Sequence, residues 1–196
     1  MAYLRLIRVA AALTMLSLGA CSTASPPPAK STLQFDGQAI RLDVARIEVV
    51  TEYTSPLKPP NVEHLMPIPP AMAAKRWAET RFQAVGTTRV AKLLVQDGSV
   101  VEVPLKKTEG VKGFFTTDQE ARFDGKLAVT LTILDDRAFG LGTALAEASR
   151  SHTLPEKATL NQRDKLYYEL TDDLMRDIDA VMQKQLTMNL QRFVLQ

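Results

Sequence analysis

One cysteine, two histidines and one tryptophan are all that 196 residues provide of the side chains that most often make disulfides, metal sites and buried aromatic anchors. With Cys21 alone no disulfide can form within the chain, so the fold must rest on buried apolar surface. His64 and His152 stand far apart and in no H-x-x-x-H or comparable ligand spacing, so no metal is expected. The chain has no G-x-S-x-G elbow, no phosphate-binding glycine loop and no dinucleotide fingerprint. Its acids are scattered among basic residues, as they are on solvated faces. The expectation is a protein that is not an enzyme and carries no cofactor. A long hydrophobic run is also missing. The apolar stretch at residues 9–18 is half of the roughly 20 residues needed to cross about 30 Å of hydrocarbon, which excludes a spanning anchor there.

What is present at the N-terminus has its own order. Arg5 and Arg8 precede the apolar stretch, and Leu18-Gly19-Ala20-Cys21 follows it. Small residues before a cut site let the chain lie extended in a peptidase groove. The arrangement resembles the lipobox of bacterial lipoproteins. That resemblance implies a signal peptide over residues 1–20, a lipidated Cys21 as the first mature residue, and attachment to a membrane through acyl chains. Ser22 in place of Asp favours the outer membrane, on its periplasmic face, by analogy with the sorting rule of enteric lipoproteins. Cleavage takes Arg5 and Arg8 from the 24 basic residues and none of the 22 acids, leaving the two signs nearly matched. Such a chain lacks the basic field that nucleic-acid binding requires. Residues 21–33 are polar and proline-rich and read as a flexible tether. Residues 34–196 read as a single domain.

Within that domain Ile40, Leu42 and Val44 alternate, and Ile47 and Val49 resume on the other parity, as a bulged strand would. Residues 55–70 hold six of the eleven prolines. This segment reads as a stiff connection over the sheet, or as a partner surface offering Leu65, Met66 and Ile68. Pro70 suits a first helical turn, Ala74, Trp77, Ala78, Phe82 and Val85 recur at helical spacing, and Gly86 suits a C-cap. Asp97-Gly98 looks like a hairpin turn, but folding the arms about it mixes polarity on both faces. One long strand kinked at Gly98 fits better. Leu127, Val129, Leu131 and Ile133 form the cleanest half-buried strand. Ala144, Ala146 and Ala148 share a face that would admit a helix. A long helix over residues 161–192, capped by Asn161, carries Leu166, Leu170, Leu174, Ile178, Met182, Leu186 and Leu190 on one face. Its last turns either dock or project toward another chain. The resulting expectation is α+β: an antiparallel sheet of about four strands with two helices on one face, in the order β-α-β-β-β-α.

The candidate contacts for a partner or membrane are Phe114, Phe115 and Lys112, in a glycine-flanked loop over residues 106–120, together with Leu65 and Met66. The two phenylalanines read equally well as a lid folded over the sheet edge. Trp77-Ala78-Glu79 resembles a motif in the first helix of the auxiliary lipoproteins of lipid-transporting ABC systems, although Leu33-Gln34-Phe35 departs from the Tyr- and Leu-rich strand that opens those proteins. The resemblance implies a non-catalytic binding or tethering role in lipid transport across the cell envelope. The alternative is an envelope assembly or structural lipoprotein with a protein client.

Overall fold

Leu127, Val129, Leu131 and Ile133 sit in the longest pairing of the protein, and the rest of the architecture is arranged about it. A computed structural model describes residues 33, 37–105 and 119–195. The central strand is β6 (Gln119–Leu134), and those four side chains are buried on one face of it, while Thr130 and Thr132 stand on the other. On one side β6 pairs antiparallel along its length with β7 (Gly140–Pro155). On the other side it meets β4 (Val90–Asp97) and then β5 (Val100–Pro104). Val90 faces Leu134, Val95 faces Val129, Val100 faces Gly125 and Pro104 faces Ala121. The two short strands therefore run in one direction along one partner, and the chain is kinked, not folded back, at Gly98. A Cβ on Gly98 would lie 2.6 Å from the Ala71 Cβ and 2.8 Å from its N, so the kink is where a helix presses against the strand.

The antiparallel expectation needs correction. β2 (Arg46–Thr51) pairs with β4 in parallel, which makes the large sheet five-stranded and mixed. The proline-rich connection and a helix lie between them, a crossover of the length that parallel pairing demands. A second sheet of three strands is formed by β3 (Phe82–Ala84), β1 (Ile40–Leu42) and β8 (Val194–Leu195). In it β1 runs parallel to β3 and antiparallel to β8. The parity change after Val44 is accordingly not a bulge. At Asp43 to Ala45 the chain leaves the small sheet for the large one, and the Ala45 N–H donates to the Thr88 and Arg89 carbonyls at 2.9 and 3.0 Å.

The first helix, α1 (Pro70–Arg81), begins at the expected proline but stops before Phe82. Phe82 enters β3, where register with Ile40 and an edge-on contact with Trp77 (5.3 Å between ring centroids) outweigh a further helical turn. Gly86 is not the helix cap. The second helix, α2 (Leu160–Asn189), is capped by Thr159, which exchanges hydrogen bonds with Gln162 in a capping box, rather than by Asn161. Its apolar row from Leu166 to Leu186 is buried as its spacing predicts. Ala144 and Ala146 are fully buried, and Gly125 admits Leu170 and Leu174 to contact distance. The end of α2 does not project: Leu190 and Phe193 are buried, and the chain turns into β8. Both helices thus lie on one face of the large sheet in a two-layer α+β domain. Each fully buried Leu or Ile there contributes about 1.5–3 kcal/mol.

Candidate functional site

Trp77 and Arg81 are one helical turn apart on α1, so they share a face, and that face meets Asp179 of α2. The Trp77 indole N–H donates to Asp179 Oδ1 at 2.9 Å, and the Arg81 Nε donates to the same oxygen at 2.7 Å. The Arg81 Nη2 reaches Oδ2 at 3.5 Å, and Gln183 donates to Oδ2 at 2.6 Å. Trp77 is fully buried and the Arg81 side chain is only 7% exposed. Burial alone would raise the Asp179 carboxyl, but hydrogen bonds from Arg81 and Trp77 hold it below the usual carboxylate range. This clasp joins the two helices. It also fixes Arg81 at the wall of a cleft of about 680 Å³. Residues 37–41 also line it, with Gln183 and Thr187 from the end of α2 and Gln191 from the turn that follows.

A second cleft, of about 380 Å³, lies where the proline-rich connection passes the start of α1. Its base is a buried carboxylate, Glu63, which is 2% exposed. Tyr53 and Ser55 hydroxyls donate to its Oε1 at 2.6 Å each, and the Val100 N–H donates to Oε2 at 3.1 Å. The Asn61 amide adds a longer contact, 3.3 Å, to Oε2. Burial opposes the charge, yet the hydrogen bonds from Ser55, Tyr53 and the Val100 backbone prevail and lower the pKa from 4.5 to about 2. Burial, and then the same pairing, push the Tyr53 hydroxyl up. His64 and Lys75 line the rim, and the His64 Nδ1 is buried without a hydrogen-bond partner among the described residues. With Val62 donating to the Val100 carbonyl and Glu102 to that of Pro60, the connection is stitched to β5.

Of the contacts read from the sequence, Leu65 is 61% exposed and available. Met66 is not: it is 5% exposed, because the chain leaves the 3-10 turn Glu63–Leu65 in extended form at Met66 and that side chain falls on the core. Cys21, Lys112, Phe114 and Phe115 lie outside the described residues. His152 meets Asp173 of α2 at 3.0 Å. Among the described residues no group of three or more His, Cys, Asp or Glu is placed to hold a metal, and no helix is long and apolar enough to cross a membrane. Arg81, Asp179 and Glu63 escaped the sequence reading. The four-residue spacing of Trp77 and Arg81 was a usable signal for the clasp, whereas Glu63 had none, since its donors at Tyr53, Ser55 and Val100 stand at no regular spacing from it.

No family model matches the chain, and no curated protein matches it. Among solved structures it is similar to a minor lipoprotein from Acinetobacter baumannii, with 15% identity over 79% of this chain and 98% of that one, at a TM-score of 0.35. It is also similar to a Xanthomonas campestris protein of the DUF330 family, with 8% identity over 75% of this chain and 86% of that one, at a TM-score of 0.32. Both likenesses are too distant to carry a function.

Proposed function

We propose that this chain is a lipid-anchored envelope lipoprotein on the periplasmic face of the outer membrane, a non-catalytic binding or tethering component in lipid transport. The observation that carries the reading is the ordered series of Arg5 and Arg8, a ten-residue apolar stretch, and Leu18-Gly19-Ala20 directly before the only cysteine. Three acyl chains on Cys21 would hold the protein where one chain holds only weakly, at about 0.8 kcal/mol per buried CH₂. The lipid side of the reading is supported by the place of Trp77: the residue that opens the Trp77-Ala78-Glu79 match also sets Arg81 beside a cleft that is part polar and part apolar. The exposed Leu65 on the proline-rich connection favours the second reading, an assembly lipoprotein with a protein client.

Metabolic labelling with palmitate tests the anchor. The parent chain is expected to carry label and sediment with membranes, and Cys21→Ala to carry none and be released. A labelled Cys21→Ala protein would overturn the anchor. Extraction in mild detergent separates the two roles: co-purifying phospholipid supports transport, and a stable protein complex free of lipid supports the client.

A further inference from the structure

We infer that the open edge of β2 takes up an extended segment of a protein client as an added strand, with one apolar side chain of that segment seated in the cleft whose base is Glu63. This rests on the second reading above, the protein client, and assigns it a site. Among the described residues the large sheet presents three edges, and two of them are closed. The edge of β5 is occupied by the proline-rich connection, through the Val62 and Glu102 hydrogen bonds and a bridge from Asn61 to Val101. Along β7, Arg150 and His152 turn toward α2, where Asp177 and Asp173 hold them, and Arg192 donates to the Leu141 carbonyl. Inward-pointing charge of this kind is how sheet edges resist a further strand. β2 has neither device. It pairs with β4 alone, in unbroken register from Arg46 to Thr51, and no backbone hydrogen bond among the described residues reaches its other side. It holds no proline and no lysine, and its two charged residues, Arg46 and Glu48, pair with each other on the face away from the helices. The free N–H and C=O groups of such an edge match an extended backbone, whereas an acyl chain would leave them unpaired.

The apolar layer is also unfinished here. Ile47 and Val49 face the core yet are only half-buried, and Thr51, next on that face, lines the cleft. From Thr51 and Tyr53 the cleft runs to Pro69, Ala71 and Met72 at the start of α1. It therefore lies between edge strand and helix, where alternate side chains of an added strand would point. With Met72 45% exposed, an apolar side chain is what this wall lacks. The rim has a sign. Glu63 is buried and its oxygens are taken by Tyr53, Ser55 and Val100, so the charge a client meets is that of Lys75, which has no ion-pair partner among the described residues. An acidic residue two positions from the apolar one shares its face and matches that charge.

The test uses the full-length lipidated protein in a neutral detergent and a fluorescein-labelled heptapeptide that alternates threonine with valine, leucine and aspartate. Binding is followed by anisotropy, and amide exchange over residues 46–51 by mass spectrometry. Saturable binding that slows exchange in β2 is expected. Of two versions N-methylated on alternate amides, one should lose binding and the other keep it, since an added strand turns only one set toward β2. Lys75→Glu, at an exposed position, should weaken the aspartate peptide severalfold and favour a version with lysine in its place, without moving the melting temperature. Arg76→Glu, exposed one residue further on α1 and outside the cleft, should bind as the parent does. If no peptide binds at millimolar concentration, or both N-methylated versions bind equally, strand addition is wrong. If Lys75→Glu discriminates no better than Arg76→Glu, the cleft is wrong. If β2 is protected in the protein alone, the edge is already covered, by a second copy where dilution removes the protection and by this chain itself where it does not, and the inference falls. A client that co-purifies with the protein while β2 exchanges freely would overturn this site and leave the client reading standing.

Discussion

Replacing Glu63 by Gln keeps the shape of the buried knot and removes its charge, so it isolates what ionisation contributes. The carboxylate is 2% exposed and receives two hydroxyls and a backbone N–H. Its pKa falls from 4.5 to about 2 on folding, and that gap corresponds to about 3 kcal/mol. Because the folded value is the lower one, this stability is fully present above pH 4.5 and is lost as pH falls toward 2. In Glu63→Gln one amide face must meet either the two hydroxyls, which can reverse and accept, or the Val100 N–H, which cannot. The variant should therefore be about 2–3 kcal/mol less stable at pH 7. At pH 2.5 the difference should shrink to under about 1 kcal/mol, because Glu63 is then mostly uncharged in the unfolded chain and partly so in the folded one. Urea melts followed by the fluorescence of Trp77, the only tryptophan and a fully buried one, report both values. Acid loss at the other carboxylates is common to both proteins and cancels in the difference. A gap of the same size at both pH values would refute the reasoning, because the knot would then be held by shape and not by charge.

The clasp between the helices makes a graded prediction. Trp77→Phe keeps the ring buried and loses one hydrogen bond to Asp179, costing about 1–2 kcal/mol, whereas Asp179→Asn strips the buried Arg81 of its counter-charge and should cost more, about 3 kcal/mol, in chemical denaturation. The reverse order would show that Trp77, not Arg81, depends on Asp179. Gly98→Ala should cost about 1–3 kcal/mol in a thermal melt, since the new methyl meets the α1 backbone at Ala71 and not a side chain that can swing away. An unchanged melt would mean that α1 can shift at no cost.

The parts of this fold that were legible in the sequence are those governed by one period over many residues. Alternation from Leu127 to Ile133 identified the central strand, and the 3.6-residue recurrence from Leu166 to Leu186 identified the long helix. Polarity matching across Asp97-Gly98 favoured a kinked strand over a hairpin, because side chains on a strand are tied to one face or the other. What escaped was set by partners distant in the chain. Phe82 to Val85 continue a helical spacing and would extend α1, but β1 supplies a parallel edge and the tertiary pairing wins. Direction is likewise invisible locally: nothing in residues 46–51 distinguishes a strand parallel to β4 from an antiparallel one. Leu65 and Met66 were both expected at the surface, but the short 3-10 turn before Met66 sends only Leu65 to water and Met66 to the core. The clasp and the Glu63 knot were hidden for the same reason, each being assembled from segments that meet only on folding.

The small sheet has a mechanical consequence. The chain enters the domain close to β1, and β1 lies between β3 on one side and β8, the last strand, on the other. If Cys21 carries the proposed anchor, tension along it would arrive at a strand hydrogen-bonded on both flanks and would have to shear two ladders together before the larger sheet felt any force. In that reading the C-terminal strand would serve as a strain relief for the proposed tether. Shortening the chain before Val194 should leave the large sheet and its helices folded while allowing the anchor end to peel away under a smaller pull, a difference that single-molecule extension from the N-terminus would register as a lower first rupture force.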